Sequence, residues 1–288
     1  MFRRVVAGVN RAFGLQRPGR NLIVFPDDVF IVSYPKSGNT WTRFLIANLM
    51  YPEERADFAN INRLIPDPEA LSKRTLGKMP RPRYIKSHQY FDPRYNKVIY
   101  VVRDPRDVAV SQYHFHRKRK LLPDGSPIEE FVSRFVAGKT SIYASWGENV
   151  ASWLATRYGS DAFLLLRYED LLAQATKELA RVAVFAGIDP EPQRIENAVT
   201  RSSATEMREM ERTQARMWSS TKDTRQDVPF VRDARSGGWK ENLPQSCVAE
   251  IEYAWGHLMK FLRYEVSTAQ ESLAQATGVE SILTRSSA

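Results

Sequence analysis

Apolar residues fall along the chain in two kinds of run. Short β-branched or aromatic runs occur at Asp28–Tyr34 (DVFIVSY), Arg83–Ser87, Val98–Arg103 and Phe163–Tyr168. The first is continuously apolar between its ends, the pattern of a central strand buried on both faces. Longer stretches with helical spacing lie between them. Phe44, Leu45, Asn48 and Leu49 share a face over Thr40–Met50, and similar patterns predict helices at Ile128–Val136, Glu148–Tyr158, Leu171–Ala186, Ser203–Met217 and Ser246–Leu262. Asp104-Pro105 supplies an N-cap oxygen and a proline at the first helical position, so a further helix is expected through about His116. Strands alternating with helices predict an α/β fold, a mainly parallel sheet flanked by helices, in a single domain over 21–266. Trp218–Val231 has no periodicity and is expected to form a lid or binding loop.

Outside that domain, residues 1–20 combine five arginines with scattered apolar residues. They are read as a basic N-terminal arm; membrane-surface segments and organelle transit peptides share the pattern. Residues 267–288, rich in Ser, Thr, Ala and Gln, are read as a polar tail. Composition narrows the function classes. An apolar content of 43% excludes disorder, and 42 Lys plus Arg against 33 Asp plus Glu, a net charge of +9, favours anionic ligands or surfaces. Charged residues interrupt every hydrophobic run well short of the roughly 20 residues that span a bilayer. The single cysteine, Cys247, can form no internal disulfide and has no zinc-site neighbours, which points to a reducing, cytoplasmic setting and to no metal site.

Four segments carry candidate chemistry. Tyr34-Pro35-Lys36-Ser37-Gly38-Asn39-Thr40-Trp41 lies between the first strand and a helix, where backbone N–H groups and a helix N-terminus make a site for a tetrahedral anion. Lys36, Ser37 and Thr40 add a charge and hydroxyl donors. The loop lacks the first glycine of the Walker pattern and has no Lys-[Ser/Thr] pair after the second, which disfavours an ordinary NTPase. The second segment runs from Val101 to Asp107, with Ser111 following. Arg103 stands at a strand's carboxyl end, where ligands gather in open α/β sheets, and Ser111 lies two turns into the next helix. Read alone, its charges equally suit surface ion pairs. In the third, Lys86-Ser87-His88, alternation puts Lys86 and His88 on one face, and a neutral imidazole there is suited to accept a proton. His114, His116 and His257 are read as structural. The fourth, Arg232 to Lys240, sets Gly237 and Gly238 between cations.

Together these segments, in this order, resemble the cytosolic-type, PAPS-dependent sulfotransferase family from about Asp28 to Arg263, a family that uses 3′-phosphoadenosine 5′-phosphosulfate (PAPS) and releases PAP. The resemblance implies that Lys36, Ser37, Gly38, Asn39, Thr40 and Trp41 bind the donor. Asn39 stands where threonine is usual and is expected to donate a hydrogen bond in its place. Arg103 and Ser111 match the family's 3′-phosphate contacts, and Trp41 and Tyr168 its residues at the adenine. Ser202 and Met207 match the adenine-side segment, where Ala204 replaces an aromatic. Arg232 and Gly237 fit the late glycine-bearing motif, with Arg235 counted among the donor contacts. Asp233 and Ala234 replace a usual Lys-Gly pair; the expectation is that Asp233 turns outward. Catalysis is implied for His88 as general base, Lys36 and Lys86 as charge stabilisers, and Ser111 as a partner that restrains Lys36.

The acceptor is left open among small molecules and lipids, on an apolar pocket drawn from Tyr90, Phe91, Tyr113, Phe115, Trp146, Trp218 and Phe230. The basic run His116–Lys120 would recruit an anionic acceptor or a membrane surface, or is simply a solvated face. Pro244-Gln245 replaces the family's dimerisation pattern, so no dimer is carried over. Two other classes fit parts of the pattern. A P-loop kinase would need magnesium and fail in EDTA, and a nucleic-acid-binding protein would show steep salt dependence, but no nucleic-acid motif is present and none is expected as partner.

Overall fold

The computed structural model describes residues 22–267; the basic arm of 1–20 and, apart from Ser267, the polar tail lie outside the described residues. Strands β1 (Val29–Ser33), β2 (Tyr84–Ser87), β3 (Lys97–Val102) and β4 (Phe163–Arg167) form a parallel sheet in the order β2-β1-β3-β4. Val29 pairs with both Tyr84 and Lys97, and Val98 pairs with Phe163. Each strand lies within one residue, at either end, of the run that predicted it.

The twelve helices among the described residues are α1 (Asn39–Met50), α2 (Ile61–Leu64), α3 (Lys73–Gly77), α4 (Pro105–Lys118), α5 (Ile128–Val136), α6 (Trp146–Arg157), α7 (Tyr168–Ala173), α8 (Ala175–Ala186), α9 (Pro192–Arg201), α10 (Ala204–Gln214), α11 (Trp239–Asn242) and α12 (Gln245–Phe261). None is long and apolar enough to cross a membrane.

Strand alternation divides the core into two. Phe30 and Val32 of β1, with Val98, Tyr100 and Val102 of β3, join one cluster with α4, α5, α6 and α12. Val29, Ile31, Ile99 and Val101 point the other way, into a cluster with α1, α8, α9 and α10. All five residues of β1 are buried, as its uninterrupted apolar run requires.

The helix expected over Leu171–Ala186 is broken in two at Gln174 (φ −142°, ψ 55°), and its first part begins at Tyr168, directly on the strand end. Helix α9 was not anticipated, although Glu191-Pro192 carried a signal: the Glu191 carboxylate accepts from the Gln193 and Arg194 amides, with proline at the first helical position. Helix α6 starts before Glu148 because Ser145 and Glu148 form a capping box.

Segment 218–231 is irregular, as expected, yet it is pinned to the body. Trp218 is buried against Phe58 and Phe230. The buried ammonium of Lys118 donates to the carbonyls of Arg225 (2.9 Å) and Val228 (2.6 Å) and pairs with Glu211 at 3.3 Å, while Glu211 accepts from the Phe230 and Val231 amides. The basic run of 116–120 is thus not one solvated face. Lys118 is an internal anchor, Arg117 pairs with Asp124, and Arg119 and Lys120 are exposed.

At the start of the sheet Asp28 and Arg83 are both buried and joined by two hydrogen bonds, Nε to Oδ1 at 2.8 Å and Nη2 to Oδ2 at 2.5 Å. Arg83 also donates to the carbonyls of Leu76 and Ile23, so one guanidinium ties the lead-in to β1, the end of α3 and β2 together. Loss of one partner leaves a charge buried without compensation. Asp28→Asn is expected to lower the unfolding free energy by about 3 to 5 kcal/mol, measured by denaturant titration; a change below about 1 kcal/mol would show the pair to be peripheral to stability.

Candidate functional site

The loop after β1 follows from its backbone. Lys36 (φ 70°) and Gly38 (φ 99°) both adopt left-handed conformations, and the Ser37 amide donates to the Tyr34 carbonyl at 3.2 Å. A Cβ on Gly38 would lie 2.5 Å from Cδ2 of Tyr168, so only glycine fits the turn against that ring. Helix α1 begins at once, with no side-chain cap and no acidic residue in its first turn. Its first amides therefore face outward unspent, the positive end of a helix dipole. Two donors at this point are orphaned: Ser37 Oγ and Arg103 Nε are buried without a hydrogen-bond partner. An anion seated between the loop and Arg103 is the kind of group that would satisfy the guanidinium.

Asn39 departs from expectation. Its Nδ2 donates beneath the sheet edge, to the carbonyl of Ile31 at 3.0 Å and weakly to that of Ser87 at 3.5 Å. The side-chain donor is spent tying β1 to β2, which leaves only the backbone amide for a ligand.

Lys36, Gly38, Asn39, Thr40, Trp41, Lys86, His88, Arg103, Ser111, Tyr168, Met207, Arg232 and Arg235 all line one cavity of about 650 Å³ at the carboxyl ends of the strands. Three predicted residues do not line it. Ser37 lies beneath the loop. Ser202 is fully buried, its hydroxyl accepting from Asn48 Nδ2 and its carbonyl from Trp41 Nε1 at 2.9 Å, so it orients Trp41 from behind. Gly237 turns its amide to the Asp107 carboxylate at 2.8 Å.

Asp107 is a residue whose part the sequence concealed. Buried on α4, it also accepts from the Trp239 amide at 3.0 Å and lies 3.6 Å from Arg103. One carboxylate thus fastens the glycine-bearing loop to the end of β3. Arg103 donates to the Arg235 carbonyl at 3.0 Å, and its guanidinium lies 4.3 Å from the ring centre of Tyr168. Trp41 meets the same ring edge-on at 5.8 Å.

The outward turn expected of Asp233 is not observed. Asp233 lines the cavity, 3.1 Å from Arg232 and 3.8 Å from Arg235, and its side chain is 35% exposed. Ala234 takes φ 52°, a left-handed conformation usual for glycine and strained for alanine.

His88 follows β2. Its Nδ1 donates to the Ser33 carbonyl at 2.8 Å, which fixes the tautomer and leaves the Nε2 lone pair free. Burial, and the Lys86 charge beside it, push its pKa down to about 3, so the ring is neutral at working pH. Lys86 pairs with Asp67 at 2.7 Å, a partner absent from the sequence reading. Although burial opposes ionisation, Lys86 and Arg43 hold the Asp67 carboxyl well below the usual range. Lys36 has the opposite balance: burial, then Arg103, lowers its ammonium to about 7. The expected Ser111–Lys36 hydrogen bond is not formed; the ammonium lies over the rings of Phe115 and Phe230.

Of the residues expected in the apolar pocket, Phe115, Trp218 and Phe230 line the cavity. Tyr90 is exposed; Phe91 packs on Trp153, Tyr113 on Phe131 and Trp146 on Trp255, so none of the four contributes. Leu121, Ile142 and Tyr143, carried on the loops before and after α5, also line the cavity.

Comparison with known proteins agrees with this geometry. The sulfotransferase domain family matches residues 26–262. Sulfotransferase 1A1 of Bos taurus is 29% identical over 256 residues, covering 82% of this chain and 85% of that protein. Sulfotransferase 1A1 of Rattus norvegicus is 30% identical over 261 residues, covering 84% and 87%. Among solved structures, the mouse sulfotransferase SULT7A1 complexed with PAP superposes with a TM-score of 0.68 at 25% identity, covering 83% of this chain and 85% of that one. Retinol dehydratase in complex with androsterone and PAP gives the same TM-score at 22% identity, covering 83% and 82%, a likeness of fold. With the sulfotransferase domain matched over residues 26–262 and a relative 30% identical over 84% of the chain, the chain belongs to the sulfotransferase family.

Proposed function

We propose that the protein, a PAPS-dependent sulfotransferase, moves the sulfuryl group to a hydroxyl or amine of a small-molecule or lipid acceptor by in-line displacement, with His88 as general base. The observation that carries this reading is His88 itself: a neutral imidazole, its Nδ1 committed to Ser33, sharing a cavity with the loop of Lys36 and Gly38. Bound PAPS supplies an activated sulfuryl group and a phosphate leaving group. The chain's own residues do the rest. Lys36, the amides that open α1 and the Thr40 hydroxyl hold the phosphosulfate, with Ser37 beneath the loop. Arg103, Ser111, Arg232 and Arg235 hold the 3′-phosphate, and Trp41, Tyr168 and Met207 frame the base, with Ser202 and Gly237 acting from behind. His88 Nε2 takes the acceptor proton, while Lys36 offsets charge developing on the departing phosphate. Lys86 shares its charge with Asp67, so its share in that task is smaller than that of Lys36.

Phe115, Trp218, Phe230 and Tyr143 suit an acceptor with an apolar body. Retinol dehydratase, similar in fold, is known in complexes with androsterone and with retinol. The catalytic domain runs over 21–266, and the enzyme works in the cytoplasm, where its buried free thiol, Cys247, stays reduced.

The direct test is incubation with radiolabelled PAPS and candidate acceptors, with mass spectrometry of the products. Lys36→Met and His88→Ala are each expected to lower turnover at least about a hundredfold with the fold retained; near-normal turnover in His88→Ala removes it as the base. The pH profile follows from the two shifts. His88 stays unprotonated until pH falls toward 3, so no acid limb near 6.5 is expected. Lys36 loses its charge as pH rises through about 7 in the free enzyme, so kcat/KM for the donor falls on the alkaline side of that value. An acid limb near 6.5 that disappears in a His88 variant would keep His88 as the base and overturn its depressed pKa.

Asp233 faces the same region as Arg232. At about 6 Å and an effective dielectric near 20, a carboxylate opposes a phosphate charge by roughly 3 kcal/mol before screening. With the side chain a third exposed, solvent and salt reduce this to about 1.4 kcal/mol. Asp233→Lys should therefore tighten PAP binding about tenfold by calorimetry; unchanged affinity would mean that the carboxylate does not oppose the ligand.

A further inference from the structure

Lys36 is an ammonium with three cations for neighbours. Arg103, Lys118 and Arg232 all bear on it, against the single carboxylate of Glu211. That carboxylate is already engaged by Lys118 and by the amides of Phe230 and Val231. Among the described residues the Lys36 ammonium forms no ion pair and no hydrogen bond to a protein acceptor. It lies instead 4.4 Å from the ring centre of Phe115 and 4.5 Å from that of Phe230. The two rings meet edge-on, 6.2 Å apart at 75°.

Each member of this cluster is fixed from a different part of the fold. Lys36 leaves the loop after β1 from a left-handed backbone. Phe115 stands on α4, one turn beyond Ser111. Phe230 closes segment 218–231, and Glu211 of α10 holds its amide. We infer that Phe115 and Phe230 are positioning residues, an aromatic seat that holds the Lys36 ammonium charged and in place while leaving it unspent for the donor. This rests on the reading of Lys36 as the group that offsets charge on the phosphosulfate. The physical argument is one of competition. An ammonium tied to a carboxylate, as Lys86 is to Asp67, must share its charge with that partner or break the pair when an anion arrives. Ring faces attract the cation but bring no net negative charge, so a donor phosphate has no carboxylate to displace. The seat also joins the donor loop to segment 218–231 through one contact.

The test is a double-mutant cycle read by turnover and by pH profile. Leucine fills most of the ring volume without its π face, so water is not drawn in and the charged amine simply loses support. Phe230→Leu and Phe115→Leu are each expected to lower kcat about three- to thirtyfold at saturating acceptor, the span of a cation–π contact from exposed to desolvated. The alkaline limb should move to lower pH, because the rings favour the ammonium over the neutral amine. Phe230→Tyr, which keeps a ring face, should restore turnover to within about threefold of wild type. In a Lys36→Met background the same Leu changes should cost almost nothing.

Equal losses with and without Lys36, or an alkaline limb that does not move, would overturn the seat while leaving the role of Lys36 intact. Near-normal turnover in Lys36→Met alone would remove that role, and the seat with it. Thermal melts accompany each variant, and an unfolded Phe230→Leu protein shifts the cycle to Phe115→Leu and Phe230→Tyr.

Discussion

Between β1 and β3 the chain reverses its direction of travel across the sheet: β2 is laid down on one side of β1, β3 and β4 on the other. Connections leaving the carboxyl ends of these two neighbours must part to opposite faces, and a crevice opens where they separate. The loop of Lys36 to Gly38 leaves β1 at that point, and Arg103 leaves β3 beside it. Every later feature of the site is arranged around this opening. Helix α1 points its unspent amides into it, and the Tyr168 ring closes over Gly38 so tightly that no side chain fits there.

Parallel pairing also explains how the site is kept rigid. A strand buried on both faces sends alternate side chains into separate cores, and β1 and β3 do so residue by residue. The crevice is therefore braced from both sides, by α1 and α10 on one and by α4 and α6 on the other. Carboxylates with little or no exposure finish the assembly. Asp28 locks the start of the sheet through Arg83, Asp107 locks the glycine-bearing loop to α4, and Glu211 locks segment 218–231 to α10. Each accepts backbone or guanidinium N–H groups that would otherwise be costly to bury.

The three lysines near the opening show how one residue type is put to different uses by its surroundings. Lys118 is a structural anchor for two carbonyls, and Lys86 is paired with Asp67. Lys36 alone of the three is held by ring faces. Their environments, rather than their identities, separate scaffold from chemistry.

Much of this was legible before any coordinate. Strand ends, the phosphate-type loop, Arg103 and His88 are local signals: an unbroken apolar run, a glycine at a strand-to-helix turn, a charge placed directly after a strand. Their order along the chain already carried the family. What local pattern could not supply were contacts between residues distant in sequence. Asp67 reaches Lys86 across 19 residues, Asp107 reaches Gly237 across 130, and Phe115 and Phe230 meet only because α4 and the end of segment 218–231 pack against one another. For the same reason Asn39 was misread as a ligand donor, since the carbonyls of Ile31 and Ser87 that consume its amide come together only when β1 and β2 pair. Asp233 was expected to face water, and Arg232 and Arg235 keep it at the cavity wall. Sequence alone determined which chemistry the chain carries, because that chemistry is written in short runs of backbone-shaping residues; packing alone decided which charges are spent on the fold and which stay available to a ligand, because a charge is neutralised by whatever the folded chain brings within a few ångströms of it.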